Sequence, residues 1–458
     1  MNTNKKIIRV LIVVSLLFLS LVTYLLYFNM FKAEDVATNS YNKRQWEDEK
    51  FVKRGSIFDY DGELLAETVI DGDKRTRRYM KNNLYSHVIG YYSKVYGKSQ
   101  LEMTYDAELL GKGDMSISFN EIRSGHNLNL SIDNDLQQFA YDQLKGYKGA
   151  VVAMEPSTGR VLASVSLPDF DPTTANLEAS WNSLVEREDS PFLARATQGL
   201  YPPGSTYKIV TAAAAYNNGK IDEIFDDKGK FKEGNLTVDN YDKTAHGKIN
   251  LKRAFEVSSN YAFCKLGYEM GPDVVRAESE KFGINKSMNF DIPVSKSENQ
   301  YKSMDNLDSA LMSIGQGKLL MTPLNVAMMG SAIANDGKIM QPYIVDCVKT
   351  ESGSTVSKTK PAVLYNATGS ACASYVKDLM VGVVKNGTGK SAQIPGMEVA
   401  GKTGTAENES GKDHSWFVGF APANDPQICV AVVLEQDGSS GGSTAAPIAK
   451  KVMQKYLK

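Results

Sequence analysis

From Val10 to Phe28 the chain runs nineteen residues without a charge, directly after Lys5, Lys6 and Arg9. As a helix this run measures about 28 Å, close to the roughly 30 Å apolar thickness of a bilayer. Ser15, Ser20 and Thr23 are tolerable inside such a helix. A secretory signal has a shorter apolar core and a small-x-small cleavage site, and none follows in Phe31-Lys32-Ala33-Glu34-Asp35. The run therefore reads as an uncleaved anchor over residues 10–31. The basic tail, residues 1–9, stays inside, and the remainder lies outside the cell membrane. No later stretch approaches 18 apolar residues, so the expectation is a single-pass protein with a large extracytoplasmic body.

The 458 residues carry a net charge of −1, which gives no reason to expect nucleic acid as a partner. Cys264, Cys347, Cys372 and Cys429 are widely spaced and form no Cys-x-x-Cys pair. Buried free thiols are the expectation. The four histidines are scattered without a His-Glu-x-x-His pattern, so neither a metal site nor a cofactor is expected.

Residues 32–147 are polar and irregular and read as a small non-catalytic domain. Asp61-Gly62, between Ile57-Phe58 and Leu64-Leu65, signals a hairpin. From Lys148 to Lys458 the pattern sharpens into a second domain. Ala150–Met154 and Val161–Val165 flank the turn Pro156-Ser157-Thr158-Gly159 and read as a hairpin. Val399–Ala406 and Ser415–Phe420 flank the turn Asn408-Glu409-Ser410-Gly411, and Ile428–Leu434 follows Asp425-Pro426. Ile448–Leu457, after Pro447, has helical spacing. Residues 180–385 read as largely helix and loop. Strands at both ends with helices between them predict an α+β fold, one antiparallel sheet flanked by helices.

Three short motifs then stand in order: Ser205-Thr206-Tyr207-Lys208, Ser258-Ser259-Asn260 and Lys402-Thr403-Gly404-Thr405. Singly they are weak. Ser-x-x-Lys recurs at Ser40, Ser357 and Ser374, and Ser-x-Asn recurs at Ser297. Setting separates them. Ser205 follows Tyr201-Pro202-Pro203-Gly204 and opens an apolar run, the mark of a helix start. Ser205 and Lys208 then share one helix face. Ser258 and Asn260 sit on a turn before the helical run Tyr261–Gly267, whereas Ser297 precedes no such run.

These residue types suit acyl transfer. A serine hydroxyl needs a base, and Lys208 can serve if burial and a nearby charge, such as Lys402, hold its amine neutral. The helix dipole favours a developing alkoxide on Ser205. The N–H groups of Ser205 and Thr405 can hold an oxyanion. Ser258 can relay a proton to a leaving amine, and Asn260 can hold a peptide group or Lys208. Lys402 and Thr405, with Thr403 between them on a strand, suit a terminal carboxylate. Gly404 reads as room for substrate backbone at a strand edge. Trp416, Tyr207 and Gln316 read as packing or shape determinants. The bland alternative is coincidence, with Ser205 merely capping a helix.

With these motifs the chain resembles a class B penicillin-binding protein, a D,D-transpeptidase of peptidoglycan synthesis. Further similar stretches are Asn42-Lys43-Arg44, Arg54–Ala66, Gly149–Leu167, Arg195–Lys208, Gly315-Gln316-Gly317, Thr322-Pro323-Leu324, Ala334–Gly337 and Trp416–Gly419. The resemblance implies that residues 32–147 form a pedestal, short for the class, and that residues 148–458 form the transpeptidase domain. It implies that Ser205 attacks a D-Ala-D-Ala stem peptide, releases D-alanine and passes the acyl group to an amine of a neighbouring strand. It also implies acylation of Ser205 by β-lactams. No glycosyltransferase domain precedes the pedestal, so the implied partner is a multi-pass membrane glycan polymerase.

Other readings stay open at this stage. A D,D-carboxypeptidase shares the first step and uses water as acceptor. A β-lactamase of the common serine class carries a Glu-x-x-x-Asn segment between the second and third motifs, and none is found between Asn260 and Lys402. An antibiotic sensor needs an intracellular effector, and only about nine residues lie before the anchor. A catalytically silent cell-wall scaffold is the reading from a different class, and the intact motifs weigh against it.

Overall fold

The computed structural model describes residues 3–31, 52–72, 74–112, 123–241, 243–408 and 411–458. The motif copy at Ser40, the stretch Asn42-Lys43-Arg44 and the turn residues Glu409 and Ser410 lie outside these residues. Helix α1, Thr3–Phe31, contains the apolar run. Between Lys5 and Phe28 it is long and apolar enough to cross a membrane, and none of that stretch is buried in the protein.

Strand β1, Ile57–Phe58, turns back into β2, Leu64–Asp71, with Ile57 opposite Ala66. The Asp61-Gly62 turn falls where the sequence places it. Strand β3, Lys74–Tyr79, pairs with β2, and β4, Asn127–Leu130, lies parallel to β1. Two more strands complete this six-stranded sheet, and they arrive from far along the chain. Val345–Lys349 pairs with β4, and Thr355–Lys358 adds outside it. The sheet therefore crosses the 147/148 boundary read from the sequence. Beside it lies a buried charge network. Arg54 reaches Glu102 at 2.6 Å and Asp106 at 2.5 Å, while Arg77 reaches Glu102 and Lys98 reaches Asp106, each at 2.6 Å. Asp291 adds a clasp between the two parts: it accepts from Tyr105 Oη at 2.5 Å and from the Ile344 and Val345 N–H groups at 2.6 and 2.9 Å.

Helix α2, Asn134–Leu144, is capped by Asp133, whose carboxylate accepts the Leu136 N–H. The main sheet then opens with β5, Gly149–Met154, and β6, Val161–Leu167. Six elements matter next for the site: α3, Lys208–Asn217; β7, Lys230–Glu233; β8, Leu236–Asp239; α4, Leu251–Glu256; α5, Asn260–Lys281; and α6, Pro323–Ala334. After α7, Ser370–Asn386, the chain returns to the sheet as β9, Ala400–Ala406, β10, His414–Ala421, and β11, Ile428–Leu434. The order is β6-β5-β11-β10-β9, antiparallel throughout.

Both faces of this sheet are covered, and the two-residue period of a strand shows it. Val151, Ala153, Phe417, Val430 and Val432 pack with Leu136 and Ala140 of α2 and with Ile448 and Val452 of helix α8, Ala445–Tyr456. Their neighbours Val152, Met154, Trp416, Val418, Ala431 and Val433 join the larger core around Met328 and Met329 of α6. Helix α8 begins two residues before Pro447, not after it. A proline in the first turn lacks only an N–H that has no helical partner there. The middle of the chain also holds more strand than expected. Besides the β7–β8 ribbon, Ile224–Asp227 pairs with Gly247–Asn250. All four cysteines are free and buried.

Candidate active site

Tyr201 bridges to Met321, and after Pro202-Pro203 the chain enters a 3₁₀ turn, Gly204–Tyr207, that runs straight into α3. This turn is wedged against β9. The Gly204 N–H donates to Gly315 O at 2.9 Å, and Trp416 Nε1 donates to Pro202 O at 3.0 Å. Gly204 has φ of +52°, and a Cβ there would stand 2.6 Å from Thr405 O. Gly404 meets the turn from the strand side. Its Cβ would lie 3.0 Å from Thr206 Cγ2 and 3.1 Å from Pro203 O. The missing side chain at Gly404 leaves room for the turn that carries Ser205. Gly404→Ala is expected to displace that turn, slow acylation of Ser205 and cost about 1–3 kcal/mol by overpacking. Melting and acylation rates of the variant check this.

Ser205 lines a cleft of about 850 Å³, together with Ser258, Asn260, Thr403 and Thr405. The Ser205 N–H lies in the first turn of a helix, where it has no helical carbonyl. Lys208 is fully buried beneath the cleft. Its Nζ donates to Ser258 O and Asn260 Oδ1, both at 2.7 Å, and stands 3.3 Å from Ser258 Oγ. A neutral amine has two N–H groups and one lone pair. The two carbonyl oxygens take both N–H groups and leave the lone pair for a hydroxyl. Burial lowers the Lys208 amine to about 7. The sequence argument gave part of that shift to Lys402. Burial is the main cause, and Asp227 pulls the other way. No hydrogen bond joins Ser205 to Lys208 among the described residues. Among the described residues, the hydrogen-bond partners of the amine all come from the second motif.

Ser258 has a left-handed backbone, φ +60°, unusual for a residue with a side chain. That conformation sets its hydroxyl between two amines, 3.3 Å from Lys208 Nζ and 2.9 Å from Lys402 Nζ. Asn260 is the first residue of α5, not part of the turn before it. Its Nδ2 donates to Asp239 O on β8 at 2.9 Å, which turns Oδ1 towards Lys208.

Residues outside the motifs hold this corner. Ser259 caps α5, accepting the Ala262 N–H, and donates to Asp227 Oδ2 at 2.7 Å. Asn240 accepts the N–H groups of Asn260 and Tyr261 at 2.8 and 3.1 Å and donates to both Asp227 oxygens at 3.0 Å. Sequence reasoning missed Asp227 and Asn240.

Strand β9 is the sheet edge. Thr403 and Thr405 line the cleft, whereas Lys402 is fully buried behind them. Its Nζ donates to Ser258 Oγ and, at 3.0 Å, to Thr403 O, and it lies 5.6 Å from the centre of the Phe255 ring. Burial, and then the charge of Lys208, lower this amine well below its ordinary value. Lys402 therefore lies buried beneath the cleft, while Thr403 and Thr405 of the same strand line it. Trp416 and Tyr207 are buried in the core, and Gln316 lines the cleft. Ser297 is buried elsewhere, accepting the Thr322 N–H at 3.0 Å. Ser357 lies on an exposed strand and Ser374 on α7.

Comparison with known proteins matches residues 149–454 to the penicillin binding protein transpeptidase domain and residues 54–127 to the penicillin binding protein A dimerisation domain. The peptidoglycan D,D-transpeptidase PbpA of Mycolicibacterium smegmatis is 34% identical, over 100% of this chain and 99% of that one. PbpA of Mycobacterium tuberculosis is 34% identical, over 93% and 94%. Among solved structures, the penicillin G acyl-enzyme complex of penicillin-binding protein A from M. tuberculosis superposes with a TM-score of 0.83 at 32% identity. That match covers 89% of this chain and 100% of the other. A D,D-transpeptidase domain from Eggerthella lenta gives 0.80 at 38%, covering 89% and 99%.

Proposed function

The chain belongs to the penicillin-binding protein transpeptidase family, and we propose that Ser205 is the nucleophile with which it crosslinks peptidoglycan stem peptides. The observation that carries this reading is the Lys208 amine, buried one turn from Ser205 with both its N–H groups engaged by Ser258 O and Asn260 Oδ1. It is a lone-pair base with a fixed direction.

Lys208 takes the Ser205 proton as Oγ bonds to the penultimate D-alanine carbonyl. The N–H groups of Ser205 and Thr405 receive the oxyanion. Ser258, bonded to Lys402 and adjacent to Lys208, passes a proton to the departing D-alanine nitrogen as the C–N bond breaks. The acceptor amine then attacks the ester and gives a proton back along the same path, and Ser205 leaves as the hydroxyl. Thr403 and Thr405 bind the terminal carboxylate, with Lys402 beneath them. A β-lactam enters the first step and stays bound, because its leaving nitrogen remains tethered.

The apolar helix α1 anchors the protein in the membrane, and Lys5, Lys6 and Arg9 support a cytoplasmic tail with the cleft outside. Residues 32–147 act as a non-catalytic pedestal beneath residues 148–458. A multi-pass membrane glycan polymerase is the partner this arrangement suits, since the chain's own cleft handles only the peptide step.

The test is fluorescent penicillin on the detergent-solubilised full chain, followed by peptide mapping. The expected result is a long-lived adduct on the peptide containing Ser205. An adduct lost within seconds would instead place the chain with β-lactamases, and a folded chain that takes no label would leave the scaffold reading.

A further inference from the structure

A second strand borders the cleft besides β9. Every residue from Leu236 to Tyr241, which is β8 and the two positions after it, lines the cleft. A strand that shows a face to a cavity contributes alternate residues. Consecutive ones mean that β8 presents its edge. The ladder agrees. Gly234-Asn235 is a two-residue turn, so Glu233 with Leu236, and then Phe231 with Val238, exchange hydrogen bonds. Thr237 and Asp239 therefore turn their backbone groups away from β7. Asp239 O is already engaged in that direction, by Asn260 Nδ2 at 2.9 Å. Among the described residues β8 pairs with β7 alone, which leaves the Thr237 N–H and C=O for an incoming chain. The second motif lies between the two edges. Lys402 on β9 reaches Ser258 Oγ, and Asn260 reaches Asp239 on β8.

Resting on the transpeptidase reading, we infer that the β8 edge binds the acceptor, an extended stem peptide that lies along Thr237 as an added strand and delivers a primary amine to the acyl group on Ser205. Crosslinking brings two peptides to one serine. The donor occupies the side of Thr403 and Thr405, so the acceptor needs a separate wall that ends near the ester. An edge with open N–H and C=O groups holds an extended peptide by its backbone. Asp239 and Tyr241 are exposed on this wall, Tyr241 at 67%. The carboxylate suits an arriving ammonium group, and the ring offers an apolar face to the peptide. The ammonium sheds one proton to solvent and attacks as the amine. Its nitrogen bonds to the acyl carbon as the ester C–O bond breaks, and a second proton passes from it through Lys208 to Ser205 Oγ.

The experiment acylates the full chain in detergent with a thioester of an acyl-D-alanine. It then measures how the acyl-enzyme divides among water, glycine and stem tripeptides that carry a lysine or a diaminopimelate side-chain amine. Thr237→Pro removes the open N–H, and proline is tolerated where a strand edge faces away from its ladder. It is expected to cut transfer to the peptides about 10-fold, the effect of leaving one hydrogen-bond partner unpaired. Hydrolysis, transfer to glycine and penicillin acylation should stay at the wild-type rate, because glycine is too short to lie along the edge. If the proline variant disturbs the ribbon, seen as slower penicillin acylation, Tyr241→Ala carries the same comparison. An equal fall for peptide and glycine, or no fall for either, overturns the assignment. So does a wild-type chain that transfers to glycine but to neither tripeptide. A wild-type chain that forms no acyl-enzyme, or passes the acyl group only to water, overturns the transpeptidase reading, and this inference with it.

Discussion

Replacing Lys208 with methionine is expected to slow penicillin acylation of Ser205 by about 10²–10⁴-fold, the usual contribution of a positioned general base. Methionine fills a similar volume without an amine, so the effect isolates the base from the packing. The wild-type rate should also carry the signature of that base. Catalysis needs the neutral amine, and burial lowers Lys208 to about 7. The acylation rate should therefore rise with pH through about 7 and level off above it. The methionine variant should lose that rise. A profile that stays flat from pH 5.5 to 8.5 in the wild type would show that Lys208 is not the titrating base. Asn260→Ala is a milder version of the same test, because it removes one of the two acceptors that hold the amine's N–H groups.

The site was legible in the sequence where chemistry sits in short strings and illegible where it depends on what the strings meet. Ser205, Lys208, Ser258 and Asn260 stand together in space, as their settings implied. Gly404 was legible as a glycine that something must approach, but nothing local says that Thr206 and Pro203 stand against it. The strand of Lys402 was legible, but its full burial was not. Asp227 and Asn240 carry no motif. Their roles arise from a ribbon folding back onto the start of α5, a contact that only the tertiary fold creates.

The same distinction divides the fold. Strands β5, β6 and β11 are apolar, rich in valine and buried on both faces, so each announces itself. Val345–Lys349 is short, and its partner β4 lies more than 200 residues earlier in the sequence. Thr355–Lys358 is exposed throughout and has no apolar pattern to read. A polar edge strand is held by its neighbour's backbone, and the sequence carries no record of that neighbour.

Glu102→Gln is expected to destabilise the pedestal by about 3–5 kcal/mol, the cost of breaking a buried ion pair by removing one partner's charge. Glu102 is fully buried and meets Arg54 and Arg77 at 2.6 Å each. Glutamine keeps the shape and leaves two guanidinium groups facing a neutral amide. The pH dependence follows from the same contacts. Burial alone raises the Glu102 carboxyl, but Arg77 and Arg54 outweigh it and hold it below its ordinary 4.5. Asp106 behaves alike, with burial opposed by Arg54 and Lys98. A carboxylate held low in the folded state binds fewer protons there than in the unfolded chain. Its stabilisation is complete above about pH 4.5 and is lost as pH falls through the folded value. Limited proteolysis of the pedestal should therefore accelerate in acid for the wild type, while the glutamine variant is cut readily at neutral pH and responds less to acid. Equal cleavage of both proteins at pH 7 would show that the network is dispensable. None of these side chains lines the cleft, so penicillin acylation per folded molecule should stay at the wild-type rate. That separates a pedestal held together by charge from a site whose chemistry depends on Lys208.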